Sequence, residues 1–189
     1  MSRKLMIPAV VALVLAFCAG NALALKPAVI YDLGGKFDKS FNQAAHMGAE
    51  RFSQETGIKY RDFEPTNGSQ YEQALRRFAT KGNDLIVVIG FSFASALEKI
   101  APEFPDTKFV IIDKVVTQPN VQSVVFKEHE GSFLVGMLAA MKTQTDKIGF
   151  VGGMDVPLIR KFALGYKEGA RYVNKDITIF ENMNGTTPA

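Results

Sequence analysis

Five side chains of this sequence have the chemistry and the predicted positions to hold a small polar molecule: Asp32, Phe41, Asn42, Phe91 and Asp113. Asp32 and Asp113 follow apolar runs that predict two neighbouring parallel strands, and the other three lie in turns above the predicted sheet. Carboxylates and amides suit the hydroxyls of a sugar or the N–H edge of a base, and an aromatic ring stacks on a heterocycle with about 1–3 kcal/mol. Parallel α/β sheets bind their ligands at the carboxyl ends of the strands. These residues therefore predict a site for binding rather than for catalysis.

Two of the five residues have a structural alternative. Phe41 shares a predicted helical face with Phe52, so packing in the core explains its position equally well. Asp113 suits a turn, where aspartate is common. Asp38 and Ser40 precede the same helix as Phe41 and are predicted to cap it rather than to contact a ligand.

The sequence lacks the motifs of several other chemistries. Gly35-Lys36 is not a phosphate-binding loop, because Phe37 follows the lysine and Ile30 occupies the position of the first glycine. There is no dinucleotide fingerprint G-x-G-x-x-G after a predicted strand and no G-x-S-x-G nucleophile turn. His46 and His129 have no second metal ligand at helical or turn spacing. We therefore predict no catalytic residue, no metal site and no cofactor.

Residues 1–24 are predicted to be a cleavable secretory signal peptide. A basic start precedes an apolar run over residues 7–20, and Ala22-Leu23-Ala24 is a small-x-small cleavage site. The apolar run is shorter than the roughly 20 residues of a membrane-spanning helix. Cys18 is the only cysteine, and the bulky Phe17 before it disfavours lipid attachment. The sequence thus predicts a periplasmic protein that is not a lipoprotein and has no cysteine after cleavage.

The charge of the chain argues against nucleic acid as a partner. The formal net charge is +3, and Arg3 and Lys4 lie in the predicted signal peptide without any acidic residue, which leaves +1 for the mature chain. Nucleic-acid binding needs a clustered basic surface, so no nucleic-acid partner is predicted. The mature length and apolar content suit one domain of ordinary size with a real core.

Strands and helices alternate along the rest of the chain, which predicts an α/β fold with a doubly wound parallel sheet. Apolar or alternating runs predict strands at residues 28–32, 58–63, 85–89, 108–113, 119–126, 148–153 and 177–180. Helical periodicity predicts helices that begin near residue 41, at 70–80, at 93–101, from 130 or 132 to 141, and at 157–173.

A strand followed by two glycines occurs twice, at Gly34-Gly35 and at Gly152-Gly153. We interpret the second occurrence as the first strand of a second lobe, reached by a crossing near residues 143–146. The predicted organisation is a signal peptide at 1–24, an N-terminal α/β lobe at 25–142, and the crossing with the start of a truncated second α/β lobe at 143–189. Two strands and one helix are too few to bury a sheet, so the second lobe is predicted to be incomplete.

Several motifs, in order along the mature chain, resemble the basic membrane protein family, the PnrA-like nucleoside-binding receptors of ABC importers. They are DLGGKFDKSFN at residues 32–42, FVIID at 109–113, PNV at 119–121, EGSFLVG at 130–136, GFVGGM at 149–154 and PLI at 157–159, followed by Phe162 and Gly165-Tyr166. The resemblance implies a type I periplasmic-binding-protein fold, in which two α/β lobes around a hinge enclose a purine nucleoside. It also implies that Asp32, Phe41, Asn42 and Asp113 are contacts from the first lobe, with Phe41 stacked on the base.

The resemblance implies a solute-binding protein and not an enzyme. Such a receptor delivers a purine nucleoside, or a related small molecule, to the permease of an ABC transporter in the plasma membrane. Members of the family have a larger second lobe, so this chain is interpreted as an N-terminal portion. Two other functions suit the same fold, a small α/β enzyme acting on nucleosides and the effector core of a transcription regulator. The predicted signal peptide and the lack of a helix-turn-helix disfavour the regulator.

Overall fold

The structure is a computed structural model that describes residues 25–185. Its strands are β1 (Pro27–Ile30), β2 (Arg61–Phe63), β3 (Leu85–Val88), β4 (Lys108–Ile112), β5 (Val121–Val124), β6 (Lys147–Gly152) and β7 (Thr178–Met183). Its α-helices are α1 (Phe41–Thr56), α2 (Gln70–Thr80), α3 (Ala94–Ile100), α4 (Glu128–Lys142) and α5 (Pro157–Val173). Short 3-10 turns, Phe91–Phe93 and Ala101–Glu103, flank α3.

The first sheet has five parallel strands in the order β2-β1-β3-β4-β5. The predicted parallel α/β architecture is therefore confirmed. The prediction that Asp32 and Asp113 end neighbouring strands is wrong, because β3 lies between β1 and β4. Asp32 and Asp113 consequently both lie at the C-terminal ends of their strands, but the end of β3 lies between them.

The core of this sheet lies mainly between the strands and the pair α2 and α3. Its strand residues are fully or almost fully buried on that face: Ala28, Ile30, Ile86, Val88, Phe109 and Ile111. Helix α2 contributes Tyr71, Leu75 and Phe78 to this core. On the opposite face α1 covers Val29, Tyr31 and Ile89 with the small side chains of Ala45 and Ala49. The opposite face is therefore packed mainly around β1.

Helices α4 and α5 pack closely against each other and beside the second sheet, which consists of the parallel pair β6 and β7. The buried face of α4 consists of small residues, Ser132, Gly136 and Ala140, whereas Leu134 and Leu138 are exposed. Since α4 packs on α5, these contacts favour a boundary between β5 and α4. The sequence predicts this boundary after residue 142, and that position stays a prediction.

The bounds of two helices agree with the sequence analysis, whereas α3 is one residue shorter at each end and α4 starts earlier than predicted. Helices α2 and α5 have the predicted bounds, 70–80 and 157–173. Helix α4 begins at Glu128, before the predicted start at 130 or 132, with acidic side chains in its first turn. Negative charge there is favourable at the positive end of the helix dipole.

The predicted signal peptide lies outside the described residues. Among residues 25–185, none of the helices combines the length and the apolar character needed to cross a membrane.

Candidate functional site

Asp32 is held by donors from three parts of the chain at the end of β1. Its Oδ1 accepts hydrogen bonds from the Tyr71 hydroxyl and from the Leu33 N–H, both at 2.8 Å. Its Oδ2 accepts one from the Ser92 hydroxyl at 3.2 Å. Gly90 has φ 104°, and a Cβ there would lie 3.0 Å from the Asp32 Cγ and closer still to Oδ2. Glycine at position 90 thus lets the chain after β3 pass against this carboxylate.

Tyr71 supports Asp32 from α2, a role that the sequence analysis does not predict. Its ring packs against Phe93 with centroids 4.0 Å apart. Burial and the hydrogen bond to Asp32 raise the pKa of the Tyr71 hydroxyl, so this group stays a donor at neutral pH. The residue type alone could have indicated this role, because a tyrosine on the inward face of a helix needs a hydrogen-bond partner for its hydroxyl.

Asn42 lies behind the site, with only 2% of its surface exposed. Its Oδ1 accepts a hydrogen bond from the Asp32 N–H at 3.0 Å, and its Nδ2 donates one to the Asp32 carbonyl at 3.3 Å. Both polar atoms of the amide are therefore engaged with the backbone of β1's end. These contacts favour a role in positioning Asp32, in contrast to the predicted contact between Asn42 and a ligand.

Asp38 caps α1, as predicted, and the side chain of Ser40 does not. The Asp38 carboxylate accepts hydrogen bonds from the N–H groups of Ser40, Asn42 and Gln43 at 2.8–3.1 Å. Burial opposes ionisation of Asp38, but these three donors outweigh it and lower the pKa of the carboxyl. The start of α1, and with it Phe41, is thereby fixed relative to the glycine turn.

Phe41 lies on the wall of a large apolar groove with a volume of about 1090 Å³. The groove runs along the α1 face of the first sheet and continues to α4, β6 and α5. Its walls include Val29, Val87, Ile112, Phe126, Phe150 and Tyr166. Phe41 is 37% exposed and does not belong to the buried clusters of the core. This exposure favours the stacking interpretation over the core interpretation.

Asp113 lies on the same groove, immediately after β4. Its backbone has φ 68°, and its N–H donates a hydrogen bond to the Val124 carbonyl at 2.8 Å, which ties the residue to β5. Burial raises the pKa of the carboxyl, the negative charge of Glu128 raises it further, and Lys161 partly offsets both effects. No side-chain hydrogen bond of Asp113 is found within residues 25–185. The carboxylate is thus half-buried with its acceptor oxygens available.

Glu128 and Lys161 form an ion pair beside this carboxylate that the sequence analysis missed. The Lys161 Nζ donates to Glu128 at 2.6 Å, and the Glu128 side chain is only 5% exposed. Burial opposes ionisation of Glu128, but the hydrogen bond and positive charge of Lys161, together with backbone N–H donors, outweigh it, so the pKa of Glu128 is lowered. The pair connects the first turn of α4 to α5, 33 positions along the chain, and no local pattern marks it.

Phe91 lies half-buried in the 3-10 turn after β3 and is not among the residues that line the groove. The structure therefore brings Phe41 and Asp113 onto one wall. Asp32 and Asn42 are not among the groove residues, and the two hydroxyl donors to Asp32, Tyr71 and Ser92, line a smaller pocket of about 780 Å³. A ligand contact from Phe91 stays a prediction.

Comparison with protein families gives one match, which covers residues 26–188. The family is described as ABC transporter substrate-binding protein, PnrA-like.

Several curated relatives and a solved structure are similar to this chain. The ABC transporter nucleoside-binding protein BmpA of Lactococcus lactis is 38% identical over 160 residues, which is 82% of this chain and 46% of that protein. Basic membrane protein A of Borreliella burgdorferi is 34% identical over 85% of this chain and 48% of that protein. The crystal structure of an ABC transporter solute-binding protein from Aeropyrum pernix has 34% identity and a TM-score of 0.78, and the match covers 85% of this chain and 48% of that chain. The chain thus spans about half the length of these three proteins.

Proposed function

Because the chain belongs to the PnrA-like family of ABC transporter substrate-binding proteins, we propose that it binds a purine nucleoside on the groove wall that carries Phe41 and Asp113. The type I fold and the role of the family in solute binding are the premises. The nucleoside, the permease that receives it and a periplasmic location are the proposal.

One observation carries the proposal: a partly exposed aromatic ring and a half-buried carboxylate without a protein donor lie on the same wall. The Phe41 ring provides a stacking surface for a base. The Asp113 carboxylate accepts hydrogen bonds from N–H or hydroxyl groups, which purine nucleosides supply from the base and the ribose. The name of the Lactococcus relative, a nucleoside-binding protein, supports this class of ligand.

Ligand-observed saturation-transfer NMR tests the proposed binding. The full chain is mixed with inosine or adenosine, and ribose serves as the reference ligand. Phe41→Ala is expected to reduce the purine signal strongly, since lost stacking costs about 1–3 kcal/mol. Phe37→Ala is the matched control, because Phe37 is 67% exposed in the loop just before α1 and is not among the groove residues. An unchanged purine signal with a large fall in the melting temperature of Phe41→Ala would place Phe41 in the core.

The same samples test the enzyme alternative, which the comparisons do not support. A receptor returns its ligand intact, whereas an enzyme acting on nucleosides releases base and ribose. Chromatography of the nucleoside after incubation with the chain is therefore expected to recover it unchanged.

A further inference from the structure

Two tyrosines, a histidine and a glutamate meet where α1 packs against the first two strands. The hydroxyls of Tyr31 and Tyr60 both lie 3.2 Å from Nδ1 of His46. The Tyr60 hydroxyl also donates a hydrogen bond to Oε1 of Glu50 at 2.6 Å. Two phenols, an imidazole and a carboxylate therefore converge on one point, and the proposed purine site uses none of their polar atoms.

The fold fixes these four side chains relative to one another. Tyr31 directly follows β1, and Tyr60 directly precedes β2. His46 and Glu50 lie four residues apart on α1 and so share one face of the helix. Tyr31 is fully buried, and its ring and that of Phe37 make edge contacts with the imidazole of His46. The imidazole is thus held with Nδ1 toward the two phenols.

Hydrogen bonds alone account poorly for this arrangement. The Tyr60 proton goes to Glu50, so it does not lie between the Tyr60 oxygen and Nδ1 of His46. If Nδ1 is bare, it accepts from Tyr31 and its contact with Tyr60 joins two acceptors. If Nδ1 carries a proton, that single proton has to serve both phenol oxygens. A cation between the three atoms contacts all of them at once.

The separations fit the ligands of one metal ion. Transition-metal ions such as Zn²⁺ bind nitrogen and oxygen at about 2.0–2.2 Å. In octahedral or tetrahedral geometry, neighbouring ligand atoms are then roughly 2.8–3.6 Å apart. Both distances of 3.2 Å from His46 Nδ1 to a phenol oxygen fall in this range. Glu50 is exposed, which gives an ion a route from solvent to the cluster.

The charge around the cluster is favourable for a cation. Three carboxylates, those of Asp62, Glu64 and Glu50, act on Tyr31 by their negative charge. The nearby cation Lys36 is paired with Asp62 at 2.7 Å. Burial is the largest cause and these charges add to it, so that the pKa of Tyr31 is raised to about 12. The same negative potential attracts a metal ion, and a bound ion in turn favours the phenolate form of its ligands.

We propose that Tyr31, Tyr60, His46 and Glu50 bind a ferric ion. Both phenols release their protons to solvent on binding, and the two phenolates with the Glu50 carboxylate supply three negative charges for Fe³⁺. Loss of the Tyr60 proton also removes its hydrogen bond to Glu50, whose exposed side chain then has room to turn an oxygen to the ion. Imidazole suits iron, and tyrosine is an established ligand of iron in haem proteins.

The sequence analysis predicts no metal site, and two features of this cluster explain the difference. Glu50 follows His46 by four residues, so the expectation that His46 has no second ligand at helical spacing is wrong. The other two ligands are tyrosines, which the search of the sequence did not include. Within residues 25–185, no three side chains among His, Cys, Asp and Glu are placed to hold a metal ion. The phenols are therefore essential to the proposed site.

Titration of the full 189-residue chain with ferric nitrilotriacetate tests the proposal. Tyrosinate bound to Fe³⁺ has a charge-transfer band in the visible range. This band is expected to appear and to reach its maximum at one iron per chain. Resonance Raman spectra excited in the band are expected to show the ring modes of tyrosinate. A titration that gives no visible band overturns the proposal.

Conservative variants assign the ligands. Tyr31→Phe and Tyr60→Phe are each expected to weaken iron binding tenfold or more, a loss of roughly 1.4 kcal/mol, and the double variant is expected to abolish the band. Tyr172→Phe is the matched control, because Tyr172 is 74% exposed on α5, and it is expected to bind iron as wild type does. Tyr60 is only half-buried, so Tyr60→Phe carries the test if Tyr31→Phe does not fold. A band that persists in the double variant overturns the proposal.

Thermal unfolding gives a second readout that does not depend on colour. An ion that binds only the folded chain raises its melting temperature. Ferric nitrilotriacetate is expected to raise that of wild type and of Tyr172→Phe, but not that of the double variant. An equal rise in all three chains overturns the proposal. A larger rise with zinc chloride than with ferric nitrilotriacetate overturns the assignment of iron.

Discussion

Helices α4 and α5 cross at glycine contacts, which predicts that Gly136→Ala destabilises the protein. A Cβ at Gly136 would lie 2.8 Å from the Tyr166 carbonyl carbon and 3.0 Å from the Ala170 nitrogen. Ordinary contacts of a Cβ begin at about 3.4 Å. The Tyr166 carbonyl oxygen would lie closer still. All three are backbone atoms of α5, so no side-chain rotation relieves the overlap, and the helices must separate by more than the roughly 0.6 Å that the carbon contact alone requires.

The expected magnitude follows from two opposing effects. Alanine is a better helix former than glycine by roughly 1 kcal/mol. Overpacking a close contact costs about 1–3 kcal/mol. Gly131→Ala in the same helix gains the first effect without the second, since nothing lies within 4 Å of a Cβ at position 131. The difference in stability between the two variants therefore isolates the overpacking cost of about 1–3 kcal/mol.

Thermal unfolding followed by circular dichroism measures this difference. For a protein of this size each kcal/mol shifts the melting temperature by roughly 2–4 °C. Gly131→Ala is expected to melt at or above the wild-type temperature and Gly136→Ala several degrees below Gly131→Ala. Equal shifts in the two variants would refute the close crossing of α4 and α5. A lower melting temperature in Gly131→Ala alone would contradict the open space around position 131.

Other predictions concern the site and the N-terminus. Asp38→Ala is expected to cost about 0.5–2 kcal/mol in urea unfolding through loss of the cap on α1, whereas Ser40→Ala, which removes no side-chain cap bond, should leave the midpoint unchanged. The pKa of Asp113 is raised above its ordinary 3.8 in the folded chain, so folded protein binds that proton more tightly and loses stability as the pH rises from 3.8 through the raised value. Asp113→Asn removes this loss of stability, so melting curves at neutral pH should show a variant at least as stable as wild type. The same variant should bind purine more weakly. A variant less stable than wild type would contradict the predicted direction of the pKa shift. Tyr71→Phe should destabilise the chain by about 1–3 kcal/mol, because it removes one of the two hydroxyl donors to Asp32, and an unchanged unfolding midpoint would argue against that bond. Intact mass of the exported protein is expected to correspond to a start at Leu25, and a lipid-modified species starting at Cys18 would contradict the cleavage prediction.

Local patterns in the sequence determined the identity and order of the elements. The alternation of apolar runs with helical stripes predicted the parallel α/β fold, and the bounds of α2 and α5 agree with it. Asp38 was identified as a cap because its donors lie within five residues of it. The motif at residues 32–42 carried the resemblance to the family that the comparison then confirmed. Each of these signals is contained in a short stretch of chain, where periodicity and residue type report directly on structure.

Tertiary structure alone decided how those elements meet. The position of β3 between β1 and β4 separates Asp32 from Asp113, and strand order has no local signature. The side-chain donors to Asp32 are Tyr71 and Ser92, 39 and 60 positions away in the sequence. Each donates to one oxygen of the carboxylate, so both oxygens are engaged with the protein. Asn42 has the residue type of a ligand contact, but packing turns its amide toward the backbone of Asp32.

Helix α4 shows most clearly which features the sequence predicts and which depend on tertiary packing. Its large apolar residues gave the helical pattern, yet Leu134 and Leu138 are exposed and Gly136 is buried. The small residues are inside because α5 approaches so closely that side chains of ordinary size do not fit between the two backbones. The pairing of Glu128 with Lys161 follows from this same crossing. Hydrophobic pattern predicts which segments are helical, whereas the distance between two helices depends on partners far away in the sequence, and only the packed structure specifies it.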